Sequence, residues 1–140
     1  MIVVDTNVIS ELMRAEPNPR VVNWIARLPR STLDTTTINQ AEILTGIALL
    51  PAGRRRRSLA AAAGSMFAED FDGRILSFDA AAANCCAEIT LRRREVGRQM
   101  EGFDLLIAAI ALSAGATVAT SDVDGFERAG LHVVNPWDET

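Results

Sequence analysis

Ile2-Val3-Val4-Asp5-Thr6-Asn7 is the stretch on which the reading of the chain turns. Three β-branched apolar residues run straight into an acid. The pattern predicts a short strand, apolar on both faces and therefore buried, whose last residue is charged. A carboxylate cannot stay inside such a sheet. It must emerge at the strand's C-terminal end, where open α/β sheets place their ligands. Taken alone, Asp5 reads at least as well as the N-cap of a helix beginning near Val8. Matching acids at later element ends or faces, Glu42, Asp104 and Asp122, shift that balance.

Working outward, Val8 to Arg14 reads as a helix, broken by Ala15-Glu16-Pro17. Asn18 caps a second helix with Pro19 at its first position, and Val21, Val22, Trp24, Ile25 and Leu28 form its stripe. This pair is expected at the sheet edge. Leu33 to Thr37 is a Thr-rich strand, followed by a helix from Ile38 to Leu50 with Ile43, Leu44 and Ile47 facing the core. Glu42 lies in that helix's first turns. Arg54, Arg55, Arg56 and Arg57 then place four cations at a helix start, against the macrodipole. Such a cluster is either a solvated face or a contact for RNA phosphate or an acidic partner. The helix runs on from Leu59 to Phe71. Arg74 to Phe78 is a third strand, and Asp79 caps a helix from Ala80 to Glu95, with Arg92, Arg93, Arg94 and Arg98 suiting its C-terminal dipole. Asp104 opens a helix, Leu105 to Ala114, that is apolar all round and so belongs in the core. Thr117 to Thr120 is a strand that empties into Asp122 and Asp124, which also read as turn formers. Leu131 to Val134 is the last strand. The order β-α-α-β-α-α-β-α-α-β-β predicts a parallel α/β sandwich.

Composition narrows the chemistry. The chain has 140 residues, 49% hydrophobic and 23% charged, which suits one folded domain. No apolar run is long enough to span a bilayer, and no targeting segment is visible at the start. Cys85 and Cys86 are adjacent and read as small buried fillers in a reducing, cytoplasmic compartment. All fourteen basic residues are Arg. The absence of lysine excludes an ordinary P-loop and a phospho-receiver domain. A single histidine, His132, makes His-based zinc chemistry implausible. Any metal must be held by oxygen, which points to Mg²⁺ or Mn²⁺. The net charge of −4 counts against a pure nucleic-acid-binding module.

In a parallel sheet with right-handed crossovers, strand C-termini and the following helix N-termini share one edge. Asp5, Glu42, Asp104 and Asp122 are therefore expected in one cleft. Four carboxylates there repel one another. One divalent cation, or two about 3.5–4 Å apart, is the natural reason to assemble them. A cation that lowers the pKa of water and screens a phosphate suits phosphodiester hydrolysis without a protein nucleophile.

The opening VVDTNVISE, the TINQAEILTG segment, the GFDLLIAAIAL helix and the ATSDVDGF…AGLHVVNPW ending resemble the PIN-domain ribonuclease toxins of the VapC type, in their FitB-like branch. The resemblance covers essentially the whole chain, as a single PIN domain over residues 1–140. It implies a three-layer sandwich with a parallel central sheet of four to five strands flanked by helices. It implies Mg²⁺- or Mn²⁺-dependent endoribonuclease activity on single-stranded RNA, a homodimer, and a cognate VapB-like antitoxin that blocks the cleft and builds a larger assembly. By position, Asp5, Glu42, Asp104 and Asp122 match the family's acidic metal ligands. Thr6 and Asn7 match the polar pair after the first acid, and Thr120 a hydroxyl that steadies the site. The chain departs from many relatives near its last acid, where Gly125 stands before Phe126 in place of an Asp. The final ligand is thus Asp122 or Asp124, and Asp122 is favoured because it lies nearer the strand end.

A non-catalytic PIN-like module that binds RNA or protein is the alternative reading. It has no reason to keep a repelling acid cluster. A metal-dependent phosphatase of the haloacid-dehalogenase type needs a second Asp where this chain has Asn7.

Overall fold

The computed structural model describes residues 1–97, 100 and 102–139. Five strands form one parallel sheet in the order β3-β2-β1-β4-β5. They are β1 Ile2–Val4, β2 Leu33–Thr36, β3 Ile75–Leu76, β4 Thr117–Ala119 and β5 Val133–Val134. The helices are α1 Thr6–Leu12, α2 Pro19–Ala26, α3 Thr37–Ala48, α4 Arg54–Ser65, α5 Ala80–Glu95, α6 Gly102–Ser113 and α7 Val123–Glu127.

β1 is central, as an apolar run with no polar face requires. Its side chains alternate between two cores. Val3 packs with Ile89 of α5, Ile107 of α6, Val118 and Phe126. Val4 packs with Val8, Ile9, Val21, Ile43, Ile47 and Phe67 on the other side. The result is the expected α/β sandwich, with helices on both faces of a parallel sheet. Among the described residues no helix is long and apolar enough to cross a membrane.

Local chemistry sets the helix starts. Asn18 accepts a hydrogen bond from the Arg20 amide, with Pro19 in the first turn. Thr36 Oγ1 accepts from the amides of Ile38 and Asn39. Asp79 accepts from the Ala82 amide at 2.9 Å. Each such bond satisfies one of the orphan donors of a first turn, contributing about 1 kcal/mol.

Several expectations are corrected. The α1–α2 pair covers a face, since Val8, Ile9 and Val21 share a core with Val4 of β1 and Leu33 of β2, and is not an edge layer. Leu44 is exposed, because it sits about 100° around α3 from Ile43. The stripe is instead Asn39, Ile43 and Ile47. Cys85 and Cys86 are half-buried, not interior. α4 passes into a wider π-type turn over Met66–Asp70, which carries Phe67 into the core. Asp122 and Asp124 do not form a mere turn: Asp122 stands at the N-cap position of a short helix, α7, between β4 and β5, and Asp124 lies in its first turn. Asp104 lies inside the first turn of α6, which begins three residues earlier than the apolar run suggests. Arg98, expected at the end of α5, falls outside the described residues.

Candidate active site

Asp5 occupies the N-cap position of α1, yet its carboxylate makes no capping bond. It is 4% exposed and turned inward. Oδ2 accepts from Thr120 Oγ1 at 2.8 Å, and Oδ1 from Asn39 Nδ2 at 3.0 Å. A simple cap would bond the amide of the second or third residue of α1, and Asp5 makes neither bond, so that reading fails. Burial pushes the Asp5 carboxyl up, the charge of Asp122 adds to this, and the hydrogen bonds from Thr120, Thr6 and Asn39 oppose it.

The topology explains why these groups meet. The sheet runs outward from β1 through β2 to β3, then returns to the other side of β1 for β4. Strand order therefore reverses between β1 and β4, whose C-terminal ends carry Asp5 and Thr120. Such switch points open a crevice at the strands' carboxyl ends.

Asn39 and Thr120 organise the network. Thr36 Oγ1 donates to Asn39 Oδ1 at 2.7 Å. That fixes the amide orientation, so Nδ2 must face Asp5 Oδ1 and Thr6 Oγ1, each at 3.0 Å. Thr6 Oγ1, already an acceptor, donates to Glu42 Oε1 at 2.8 Å. On the other side, Thr120 Oγ1 accepts from Asn7 Nδ2 at 3.0 Å and from the Asp122 amide at 3.1 Å while donating to Asp5. Asn7 Oδ1 accepts from the Ser121 amide at 3.3 Å.

Glu42 is half-buried in α3. Burial raises its carboxyl, the Thr6 bond opposes this, and the charge of Asp5 raises it further. Asp104 lines the same cleft of about 640 Å³. Its carboxyl is pushed from the ordinary 3.8 up to about 6, first by the protein wall behind it and then by the charges of Asp5, Asp122 and Glu42. Asp104 thus feels the charge of all three other acids, but the cleft itself is lined by Asp5, Glu42 and Asp104 and not by Asp122.

Asp124 is placed elsewhere. Its carboxylate pairs with Arg128 Nε at 3.0 Å in an exposed i,i+4 contact. Asp122 instead folds over Gly125: a Cβ on that glycine would lie 2.9 Å from Asp122 Oδ2. The glycine before Phe126 is the space that the Asp122 carboxylate occupies.

Every candidate ligand offers oxygen, which suits a hard cation. Among the described residues, no three acids already stand in ligating arrangement.

Arg54, Arg55, Arg56 and Arg57 lie outside this cleft, in the first turn of α4. Arg54 and Arg55 line a larger groove of about 1090 Å³, together with Met13, Ile43, Ile47 and Leu59. The groove and the acid cleft share Ser10 and Arg14. Arg56 turns back to donate to the Leu50 carbonyl at 3.4 Å.

Sequence reasoning missed Asn39 and Trp137. Asn39 carried a signal: it heads the buried stripe completed by Ile43 and Ile47, one helical turn before Glu42. A fully buried amide there needs partners. Trp137, which lines the acid cleft, follows the last strand and carried no periodic signal.

The model of the PIN domain family matches residues 2–131. Plasmid stability protein StbB of Pseudomonas syringae pv. tomato is 46% identical over 138 residues, 99% of each chain. VapC ribonuclease Y4jK of Sinorhizobium fredii is 40% identical over the same share of both. Toxin FitB of Neisseria gonorrhoeae is 38% identical over 99% of this chain and 100% of that one. The crystal structure of FitAcB from that organism superposes with a TM-score of 0.93, covering 99% of both chains. With the topology, the acid cleft and these likenesses in agreement, the chain belongs to the PIN-domain family, in the branch that holds the VapC ribonuclease and the FitB toxin.

Proposed function

We propose that this chain is the toxin of a toxin–antitoxin pair and a Mg²⁺- or Mn²⁺-dependent endoribonuclease acting at Asp5, Glu42, Asp104 and Asp122. The observation that carries the reading is that Asp5, Glu42 and Asp104 line one cleft whose one described cation, Arg14, is already paired with Glu11. A fold gains nothing from repulsion among those acids without a cation to offset it. When bound, a divalent cation supplies Lewis-acid activation of water and offsets the charge of the phosphate.

The chain's own groups divide the remaining work. Asp5 has an oxygen bonded on each side and so holds one fixed orientation. Asp104, which lines the cleft, and Asp122, which stands beside Gly125, accept no side-chain or capping hydrogen bond among the described residues, so both carboxylates are uncommitted. Glu42 has Oε1 committed to Thr6 and a raised pKa, which suits Oε2 to take the proton of the attacking water. The water oxygen adds to phosphorus, the bond to the leaving ribose oxygen breaks, and that oxygen takes up a proton. Thr6, Asn7 and Thr120 act by positioning.

The partner is a cognate VapB-like antitoxin, as the likeness to FitAcB supports. The apolar, Arg-rimmed groove between α1, α3 and α4 is the surface that receives it, and its continuity with the acid cleft lets one partner cover both. The chain pairs as a homodimer in the cytoplasm. α2 contributes little to those contacts, because Val21 and Trp24 are already used inside the fold.

The test is incubation of purified protein with labelled RNA, DNA and a phosphomonoester, each with Mg²⁺, Mn²⁺ or EDTA. Internal cleavage of RNA alone, abolished by EDTA, is the expected result. Cleavage that persists in EDTA overturns the metal mechanism. Replacing Arg54 to Arg57 together with Gln is expected to leave cleavage intact and prevent neutralisation by the antitoxin. A loss of RNA affinity with a flatter salt dependence would assign the cluster to RNA instead.

A further inference from the structure

The acid cleft poses a binding problem for an RNA chain. Asp5, Glu11, Glu42 and Asp104 line it, and Arg14 is the one cation among its described lining residues. Arg14 is itself paired with Glu11 at 3.1 Å. Four acids against one committed cation repel a polyanion. A metal offsets this at the reacting phosphate alone, so the flanking nucleotides need contacts that do not depend on charge.

Trp137 is the aromatic residue of that lining. The chain has two tryptophans and no tyrosine. Trp24 is buried at 7% exposure, whereas Trp137 is half-buried and partly open to the cleft. Its position is held from several directions. Its amide donates to Asn135 Oδ1 at 3.0 Å, and Arg20 Nη1 donates to its carbonyl at 3.3 Å. Pro136 before it is buried, and the Asp138 amide donates back to the Asn135 carbonyl at 3.0 Å. The side chain packs on the same core as Val4, Val8 and Ile9, the residues that flank Asp5 in sequence. Trp137 thus packs on that core and lines the cleft together with Asp5 and Asp104.

We infer that Trp137 is a base-stacking subsite, taking an unpaired nucleobase of single-stranded RNA next to the phosphate that is cut. Stacking of a base on an aromatic ring is insensitive to the surrounding negative charge and contributes about 1–3 kcal/mol. It also selects strand state. A base inside a duplex is already stacked on both faces and cannot reach the ring, so the subsite favours loops, bulges and ends. The inference rests on the nuclease reading for its substrate but makes a separate physical claim.

The protein labelled with 5-fluorotryptophan provides the test. It gives two ¹⁹F resonances, assigned by Trp137→Phe. In Asp104→Asn, with Mg²⁺ present and the strand intact, a single-stranded oligoribonucleotide is expected to move the Trp137 resonance and leave that of Trp24. A duplex of the same sequence is expected to move neither. In cleavage assays of the otherwise native protein, Trp137→Ala is expected to raise KM about 5- to 150-fold with a much smaller change in kcat, the range that losing one stack produces. Trp137→Phe keeps an aromatic face and is expected to recover part of that loss. A Trp137 resonance unmoved by single strands overturns the proposal. So does an equal response to duplex, or a Trp137→Phe variant no better than Ala at equal melting temperature. If the Ala variant binds and cuts RNA normally but escapes the antitoxin, the ring belongs to the protein interface and the subsite is wrong. If the native protein never cuts RNA yet its Trp137 resonance responds to single strands, the nuclease reading fails and the subsite stands.

Discussion

The two halves of the acid cleft are built differently. On the strand side, Asp5 is buried and has a donor on each oxygen, and half-buried Glu42 is held by Thr6. On the helix side, Asp104 and Asp122 are exposed, and no side-chain donor among the described residues approaches their carboxylates. The first half is rigid because a buried carboxylate without partners costs several kcal/mol, so the fold supplies them. The second half has solvent for a partner and can remain uncommitted. One half thus fixes a geometry, and the other leaves its carboxylates open to solvent.

One substitution made on each side should separate them most sharply. Asp5→Asn and Asp104→Asn are both expected to cut RNA cleavage by two or more orders of magnitude, about 10²-fold or beyond, and to shrink the Mn²⁺-induced rise in melting temperature. Without metal they should diverge. Asn at position 5 directs an NH₂ at Asn39 Nδ2 or at the Thr120 hydroxyl, leaving buried donors facing each other. A loss of about 1–3 kcal/mol is expected. Asn at position 104 breaks no hydrogen bond and relieves repulsion, so the melting temperature should stay level or rise slightly, since its first-turn charge is also worth about 0.3–1 kcal/mol. Thermal melts in EDTA check this, and equal destabilisation by both would erase the contrast.

A smaller effect on cleavage is expected one step back from the ligands. Asn39→Leu keeps the volume and removes the donors to Asp5 and Thr6. Outer partners of this kind typically matter by about 10- to 100-fold in affinity or activity. Mn²⁺ titration by calorimetry beside a cleavage assay measures both, and unchanged Mn²⁺ affinity would argue that Asp5 needs no support from α3.

Gly125→Ala reaches the helix side alone. The new Cβ falls 2.9 Å from Asp122 Oδ2 and must displace it. Cleavage should drop about tenfold with little change in stability, because Ala suits a helix about 1 kcal/mol better than Gly. Asp124→Asn, by contrast, should leave cleavage unaltered. A result the other way round would make Asp124 the final ligand.

The mildest effect is on pH dependence without metal. Asp104 is raised from the ordinary 3.8 to about 6, and Asp5 and Glu42 are raised as well. Between those values the folded chain holds more protons than the unfolded one. Stability contributed by these acids therefore falls as pH rises from about 4 to 6 and stays lower above that window. For Asp104, which is open to solvent, the loss is on the order of 1 kcal/mol after allowing for screening, or a few degrees. Melts across this range in EDTA should show the slope, and Asp104→Asn should flatten it.

Much of this was readable from the chain alone. Ile2-Val3-Val4 specified a central buried strand because it lacks a polar face. The apolar run from Leu105 to Leu112 specified a core helix for the same reason. Gly, Pro and capping residues marked most boundaries, since their backbone preferences act locally. The four acids could be nominated because charges that interrupt apolar elements are conspicuous in one dimension. Their division into held and uncommitted members could not, because it depends on Asn39 and Thr120, which lie 34 and 115 residues from Asp5 and meet it only across the sheet. The sequence favoured Asp122 over Asp124 only by its nearness to the strand end. The two stand two positions apart, and their different surroundings follow from α7, which turns one carboxylate over Gly125 and the other toward Arg128. Local propensity is written residue by residue, whereas the orientation of a carboxylate is decided by whichever distant donor the folded chain brings within about 3 Å of it.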